Sequence, residues 1–250
     1  MLLKDKVIIV TGGANGIGRG YTVNLFQEGA RLVIADKDIA RATELETALN
    51  STVSERRALA VEVDMTSESA TTRLASQAVE TFGRIDVLIN NAGIYPHVEF
   101  EDITLQKWRD LMTVNLDSVF LGVKAVLPQM KRQKSGKIIN VATNLAWTGL
   151  AGMVHYVTSK AGVIGFTRSL AKEIGVHGIT VNAIAPGAII PVGELDPVSE
   201  ERVKQIVEHQ CIRQPLRAEY LVGPMIFLAS DDSNFISGQI LTVDGGGTTH

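Results

Sequence analysis

Short apolar runs punctuate the chain at near-regular intervals: Val7–Val10, Arg31–Ala35, Ala58–Val63, Val87–Asn90, Lys137–Val141, Thr180–Ala185 and Gln239–Val243. Runs this short and this rich in Val and Ile predict buried strands. Between them, Ile17, Tyr21 and Leu25, then Ile39, Ala42, Leu45 and Leu49, then Ala70, Leu74, Ala78 and Phe82 recur every three to four positions. Each set puts one apolar stripe on a helix. Strand and helix alternating along a whole chain imply right-handed crossovers and a mostly parallel sheet with helices on both faces. The expected fold is thus α/β, a doubly wound seven-stranded sheet. No repeat, linker or shift of composition divides residues 1–250, so a single domain is expected. Only Gly187–Leu216 breaks the rhythm, with Pro191, Pro197 and Pro215 around a short amphipathic stretch, Val198–Gln210. That segment reads as a lid over a site.

Composition narrows the partner. Of 250 residues, 45% are hydrophobic and 20% charged, enough apolar mass for a large core. A net charge of −3 provides no basic field for nucleic acid or an anionic membrane, so a small molecule is the expected partner. The lone cysteine, Cys211, excludes an intrachain disulfide and a cysteine-built metal site, and its default role is a small apolar filler. Met1–Lys6 alternates apolar and charged residues without a long apolar run, which predicts neither signal peptide nor membrane anchor. A cytoplasmic location is expected. His97, His155, His177 and His209 show no metal-ligand spacing on one helix, so no metal is expected and packing or surface roles are assigned to them.

Candidate chemistry starts where the first strand runs into Thr11-Gly12-Gly13-Ala14-Asn15-Gly16-Ile17-Gly18 and a helix follows at once. Glycines there allow a sharp turn and close approach to a pyrophosphate at the positive end of the helix. A plain strand-to-helix turn is the alternative. The second strand ends in Asp36, near the offset at which a carboxylate accepts hydrogen bonds from an adenosine ribose diol. A 2′-phosphate would be repelled there, so NAD is expected over NADP, unless Lys37 screens the charge. Asn90-Asn91-Ala92-Gly93 closes the fourth strand with small residues, which suits a cofactor crossing the sheet and also suits an ordinary turn. Tyr156 and Lys160 stand four apart inside the helical run Met153–Glu173, on one helix face. A nearby ammonium would stabilise the phenolate and lower the tyrosine pKa, making it a usable acid/base.

Taken in order, Thr11–Gly18, Asp36, Asn90–Gly93, Asn115, Tyr156, Lys160 and Pro186-Gly187 resemble the short-chain dehydrogenase/reductase family over nearly the whole chain. The resemblance implies a Rossmann-type, dinucleotide-binding and catalytic domain and a homotetramer, for which the apolar tail Phe235–Gly247 is a compatible interface. It also implies a catalytic set of Asn115, Thr143, Tyr156 and Lys160, with Asn115 holding a water that relays protons from Lys160. The cofactor would touch Gly12, Asn15, Gly16, Ile17, Gly18, Asp36, Asp64, Met65, Asn91, Ala92, Gly93, Tyr156, Lys160, Pro186, Gly187 and Ile189. Asp64 and Met65 would border the adenine, and Ile189 would offer backbone to the carboxamide. Tyr95, Asn144, Leu145 and Trp147 are expected to line the substrate pocket.

Two positions depart from the family pattern. Thr143 stands thirteen residues before the tyrosine where most members have serine; its hydroxyl can still donate, with an added methyl that narrows the pocket. Pro191 stands four residues beyond Gly187 where a threonine is usual, and it has neither hydroxyl nor N–H. The stretches Gly93-Ile94-Tyr95-Pro96, Gly165-Phe166-Thr167-Arg168, Ala229-Ser230-Asp231-Asp232 and Val243-Asp244-Gly245-Gly246, with a terminal His250, look most like NAD-dependent dehydrogenases of aryl secondary alcohols. Two other functions compete: an NADPH-dependent 3-ketoacyl reductase, which Asp36 opposes, and a non-catalytic NAD-binding sensor, which the intact set of four opposes. A docking surface for an acyl carrier would need cations. Lys131, Arg132, Lys134 and Lys137 are read instead as the solvated end of a helix.

Overall fold

The computed structural model describes residues 1–190 and 197–248, with backbone alone at 197–199 and 202. Seven strands, β1 (Val7–Thr11), β2 (Arg31–Asp36), β3 (Ala58–Glu62), β4 (Val87–Asn90), β5 (Gly136–Val141), β6 (Ile179–Pro186) and β7 (Ile240–Val243), form one sheet in the order β3-β2-β1-β4-β5-β6-β7. Every pairing is parallel. The order reverses between β1 and β4, the switch point at which open α/β sheets leave a crevice beyond the strand ends.

The strand side chains alternate between two cores. Ile8, Val10, Leu32, Ile34, Val87 and Ile89 face α1 (Gly16–Gln27), α2 (Ile39–Asn50) and, later in the chain, α9 (Val222–Ala229). Val7, Ile9, Val33, Ala35, Leu88 and Ile138 face α3 (Glu68–Phe82), α5 (Ser118–Gln133) and the far end of α7 (Val154–Ile174). Burial on both faces explains why the strands read as continuous apolar runs and not as alternating ones. Local signals end the helices where expected: Asp38 accepts from Arg41 N–H and Ser67 from Ala70 N–H at their N-termini, and Gly83 closes α3 in the left-handed region.

The rest of the chain is α4 (Leu105–Met112), α6 (Leu145–Thr148) and α8 (Pro197–Glu208), the last within the expected lid. Pro191 lies outside the described residues. Thr113–Asp117 forms a π-helical turn joining α4 to α5, a feature that apolar spacing does not announce. By length and composition the run Leu105–Gln133 is apolar enough to cross a membrane, but α5 lays Val119, Val123, Val126 and Met130 into the protein core.

Two expectations need correction. Lys131 and Arg132 do occupy the last turn of α5, with Lys134 capping it, but Lys137 lies in β5, 6% exposed, with its Nζ donating to Ser233 Oγ at 3.1 Å. Strand pairing to Val87 and Thr180 draws it inside. Cys211 is exposed and not a core filler; its Sγ reaches the Gly246 carbonyl at 3.3 Å.

The entry into α1 allows least substitution. A Cβ built on Gly18 would lie 2.0 Å from Gly12 O and 2.6 Å from Asn91 Nδ2, whereas one on Gly16 (φ +52°) would meet nothing within 4 Å. Gly18→Ala must therefore push backbone apart and is expected to cost about 3 kcal/mol or more. Gly16→Ala, strained in φ alone, should cost about 1–2 kcal/mol. Urea denaturation of both variants checks the order, and equal losses would contradict it.

Candidate active site

The carboxyl ends of β1, β4, β5 and β6 carry the candidate residues to one edge of the sheet. A threonine ties the first two strands together. Thr11 Oγ1 donates to Ile89 O (3.3 Å) and accepts from the N–H groups of Asn91 and Ala92, both at 3.0 Å. Asn91 Nδ2 returns to Thr11 O at 2.9 Å and Gly12 O at 3.3 Å. Thr11 was legible only as the start of the glycine loop; that its hydroxyl aligns Asn91-Ala92-Gly93 follows from the β1–β4 pairing.

Asp36 ends β2 beside this loop. Its carboxylate accepts from Ala14 N–H and Asp38 N–H, both at 3.0 Å. Lys37, the residue that would screen it, turns instead to Asp64 (3.1 Å). The Asp64 carboxyl is held below its usual range chiefly by the Thr66 hydroxyl and N–H, with Lys37 adding to the effect. Asn15, beside the loop, accepts from the Arg41 guanidinium at 2.6 Å. Met65 is buried under Gly122, where a Cβ would come within 3.2 Å of its methyl.

The chemistry-bearing groups converge behind Gly93. Lys160 is 4% exposed and its Nζ donates to the Val141 carbonyl at 2.8 Å. Burial pulls its pKa down to about 8. Asn115, in the π turn, accepts from Ile94 N–H and donates to Ile94 O, both at 2.8 Å, and donates to Ser159 Oγ at 3.2 Å. Its side chain is thus committed to backbone and a serine. A Cβ on Gly93 would lie 3.1 Å from Asn115 Oδ1 and 3.4 Å from Lys160 Nζ, so a side chain there would crowd the Asn115 amide by a few tenths of an ångström.

Tyr156 is half-buried on the first turn of α7, and its hydroxyl pairs with that of Thr143. Its pKa stands above the ordinary value, because burial raises it more than the Thr143 hydrogen bond lowers it, and Tyr95 nearby adds to the rise. The lowered phenol expected from the Tyr156–Lys160 spacing is therefore not what the polypeptide alone produces: the ammonium is directed at a carbonyl, and desolvation dominates. Thr143 is buried, and its Oγ1 accepts from Leu145 N–H at 3.3 Å.

Among the substrate-pocket candidates, Tyr95 is 74% exposed, while Leu145 and Trp147 are half-buried in α6. Asn144 differs from the expectation. Its amide donates to Asp244 Oδ2 at 3.1 Å and so faces the C-terminal tail. Pro186 O accepts Asn144 N–H at 3.0 Å, Gly187 N–H donates to Val243 O at 3.0 Å, and Ile189 bridges to Leu216. His155 is buried, in keeping with a packing role, and among the described residues no cluster of potential metal ligands occurs.

These residues suit a dinucleotide in their chemistry. The loop offers close-packed backbone around Gly12 and Gly18 with open space over Gly16, a carboxylate at Asp36 of the kind that accepts from a ribose diol, and an ammonium with donors to spare at Lys160.

The family model of the short-chain dehydrogenases matches residues 6–196. The chain is 36% identical over 248 residues to the (2S)-[(R)-hydroxy(phenyl)methyl]succinyl-CoA dehydrogenase subunit BbsD of Thauera aromatica, covering 98% of both chains. It is also 36% identical over 255 residues to the 3-oxoacyl-[acyl-carrier-protein] reductase FabG of Thermotoga maritima, covering 98% of this chain and 99% of that one. A structure from Sinorhizobium meliloti 1021, assigned as a short-chain alcohol dehydrogenase, superposes with a TM-score of 0.91 at 29% identity, over 98% of this chain and 97% of its own. With its parallel sheet, its glycine loop at the switch point and its Tyr156–Lys160 helix, the chain belongs to the short-chain dehydrogenase family and is a nicotinamide-dependent oxidoreductase.

Proposed function

We propose that the protein interconverts a small secondary or aryl alcohol and its ketone with NAD(H) as cofactor, as a cytoplasmic homotetramer. The observation that carries the reading is the paired Thr143 and Tyr156 hydroxyls, with the Lys160 ammonium buried behind them. The dehydrogenase relative from Thauera aromatica carries, in its name, a hydroxyl on a phenyl-bearing carbon. That is the substrate class proposed here.

The nicotinamide ring, when bound, supplies the hydride acceptor. Everything else falls to the chain. Tyr156 takes the hydroxyl proton from the alcohol, and a positive charge placed beside the phenol would bring its raised pKa back toward the working range. Thr143, whose Oγ1 accepts from Leu145 N–H, gives its own proton to the Tyr156 hydroxyl in the free protein, and a substrate oxygen entering beside the two would take over that donated proton as the alkoxide develops. Asn115 and Ile94 brace the wall behind Gly93, and Lys160, with N–H groups beyond the one given to Val141, is placed to hold ribose hydroxyls and to pass protons.

Asp36 supports NAD over NADP, since its carboxylate is fixed by two backbone N–H groups while Lys37 is engaged by Asp64. The same feature weighs against an NADPH-dependent 3-ketoacyl reductase. The intact Asn115, Thr143, Tyr156 and Lys160 set weighs against a cofactor sensor without turnover.

The acid/base assignment is checked with Tyr156→Phe on whichever aryl carbinol the wild type oxidises. Turnover should fall by roughly 10²–10⁴-fold, with NAD affinity kept within a factor of about three. Wild-type turnover would contradict it. For the cofactor, kcat/KM should favour NAD over NADP by about 100-fold, and Asp36→Ser should erase most of that difference, as expected when a fixed carboxylate repels a phosphate. Equal efficiencies in the wild type would count against NAD.

Lys160 adds a stability test. Its folded pKa, about 8, lies below the ordinary 10.5. The unfolded chain binds more protons between these values, so stability rises with pH across that window, and below pH 8 the fold bears the whole cost of burying the ammonium. Lys160→Met should inactivate the enzyme yet unfold about 1 kcal/mol later at pH 7, the loss of the Val141 bond offsetting part of the gain. The advantage should shrink toward pH 10. A variant less stable at pH 7 than at pH 10, relative to wild type, would reverse the assigned sign.

A further inference from the structure

We propose that Asp244 is a positioning residue for the reaction: through Asn144 it holds the turn that presents the Thr143 hydroxyl, and so makes the C-terminal tail part of the active-site framework. The proposal rests on the reading that Thr143 donates to the substrate oxygen.

Asp244 follows β7 and is 4% exposed. Its carboxylate accepts four hydrogen bonds. Oδ1 takes the N–H groups of Gly246 (3.0 Å) and Gly247 (3.2 Å), and Oδ2 takes Asn144 Nδ2 (3.1 Å) and the Thr248 hydroxyl. Among the described residues no Lys, Arg or His forms an ion pair with it. A buried carboxylate without a counter-charge is costly unless each of its lone pairs is used, and here neutral donors from two distant segments are gathered to do that.

The gathering has a direction. Residue 144 is one hundred positions from Asp244 and next to Thr143. Its side chain is tied to Asp244 and its N–H to Pro186 O, while its carbonyl accepts Trp147 N–H at 3.0 Å. With Asn144 pinned on three sides, Leu145 N–H is aimed at Thr143 Oγ1. That bond fills one acceptor position of the threonine oxygen and helps to hold the side chain beside Tyr156. Asp244 also packs against Gly187, where a Cβ would lie 2.8 Å from its own Cβ, and the residues after it hold the chain beyond α8: Gly245 O accepts Ile212 N–H at 2.8 Å and Gly246 O receives the Cys211 thiol. One carboxylate thus joins the Thr143 turn, the Pro186-Gly187 corner and the end of the segment read as a lid.

A residue that acts only through Thr143 has a specific kinetic signature, because its removal should matter little once Thr143 is gone. The experiment is a double-mutant cycle of Asn144→Ala and Thr143→Ala on an aryl carbinol that the wild type oxidises, with NAD affinity read separately by tryptophan fluorescence. Thr143→Ala should lower kcat by ~10²–10³-fold, as loss of an oxyanion donor does. Asn144→Ala should lower kcat about tenfold, one lost hydrogen bond of about 1.4 kcal/mol, with NAD affinity within about twofold. In the Thr143→Ala background the same change should cost less than about twofold. Hydrogen exchange of the ligand-free protein gives a readout independent of turnover: Asn144→Ala should speed exchange at Leu145, Gly246 and Gly247 by about tenfold and leave β1, β4 and β5 unchanged. Additive losses, an inert Asn144→Ala, or unchanged protection at those three amides would each overturn the positioning role while leaving the Thr143 reading intact. An inert Thr143→Ala would instead defeat the reading on which the inference stands.

Discussion

In a parallel sheet covered by helices on both faces, the interior strands can shed unpaired backbone polarity only at their two ends, and that constraint organises the site of this molecule. At the carboxyl end the strand carbonyls and the following N–H groups emerge between packed helices and must find partners there. Three side chains and one backbone N–H provide them: Thr11 for the turn after β4, Asn115 for Ile94, Lys160 for Val141, and the main-chain N–H of Asn144 for Pro186. The residues that finish the strands are the same ones that line the crevice, so structural and chemical roles fall on one set of atoms.

This overlap explains the electrostatic character of the site. A lysine brought in to satisfy a buried carbonyl loses most of its solvent, and its pKa drops to about 8. A tyrosine half-buried at the start of the same helix is pushed the other way. The phenol is harder to ionise and the ammonium easier to neutralise than in water, so both groups are displaced toward their uncharged forms. A site poised in that manner gains most from a partner that carries positive charge into it, which is what an oxidised nicotinamide brings.

The fold was legible because its strands are apolar throughout and its helices have regular stripes; all seven expected strands fall within one residue of those observed at each end. The π turn was not legible, since a single extra residue in a helix leaves no periodic trace and is fixed by the bonds between Asn115 and Ile94. Lys137 falls correctly in the strand Lys137–Val141, but its charge does not reveal that β5 is paired on both sides and carries the side chain into the interior. The bond from the Asn144 amide to Asp244 joins residues one hundred positions apart and has no trace in local sequence. Lys37 beside Asp36 posed a question of screening that sequence leaves open and that the Asp64 contact answers in three dimensions.

Family membership and substrate identity rest on different parts of the chain. Relatives sharing 36% of their residues with this protein include a dehydrogenase of a phenyl-bearing succinyl-CoA alcohol and a reductase of acyl-carrier-bound ketones. Overall identity is equal for the two, so it reports the framework they share. On the proposed reading, discrimination falls to a few side chains carried on that framework: the carboxylate of Asp36 toward the cofactor, and the surfaces of Tyr95, Leu145 and Trp147 toward the substrate. Of these, Asp36 is held by two backbone donors and is geometrically part of the loop, while Tyr95 is 74% exposed and tied to no strand end. On the proposed reading, cofactor choice would sit with a carboxylate fixed at the end of β2 and substrate choice with more exposed side chains such as Tyr95, so that one framework could serve different alcohols and ketones.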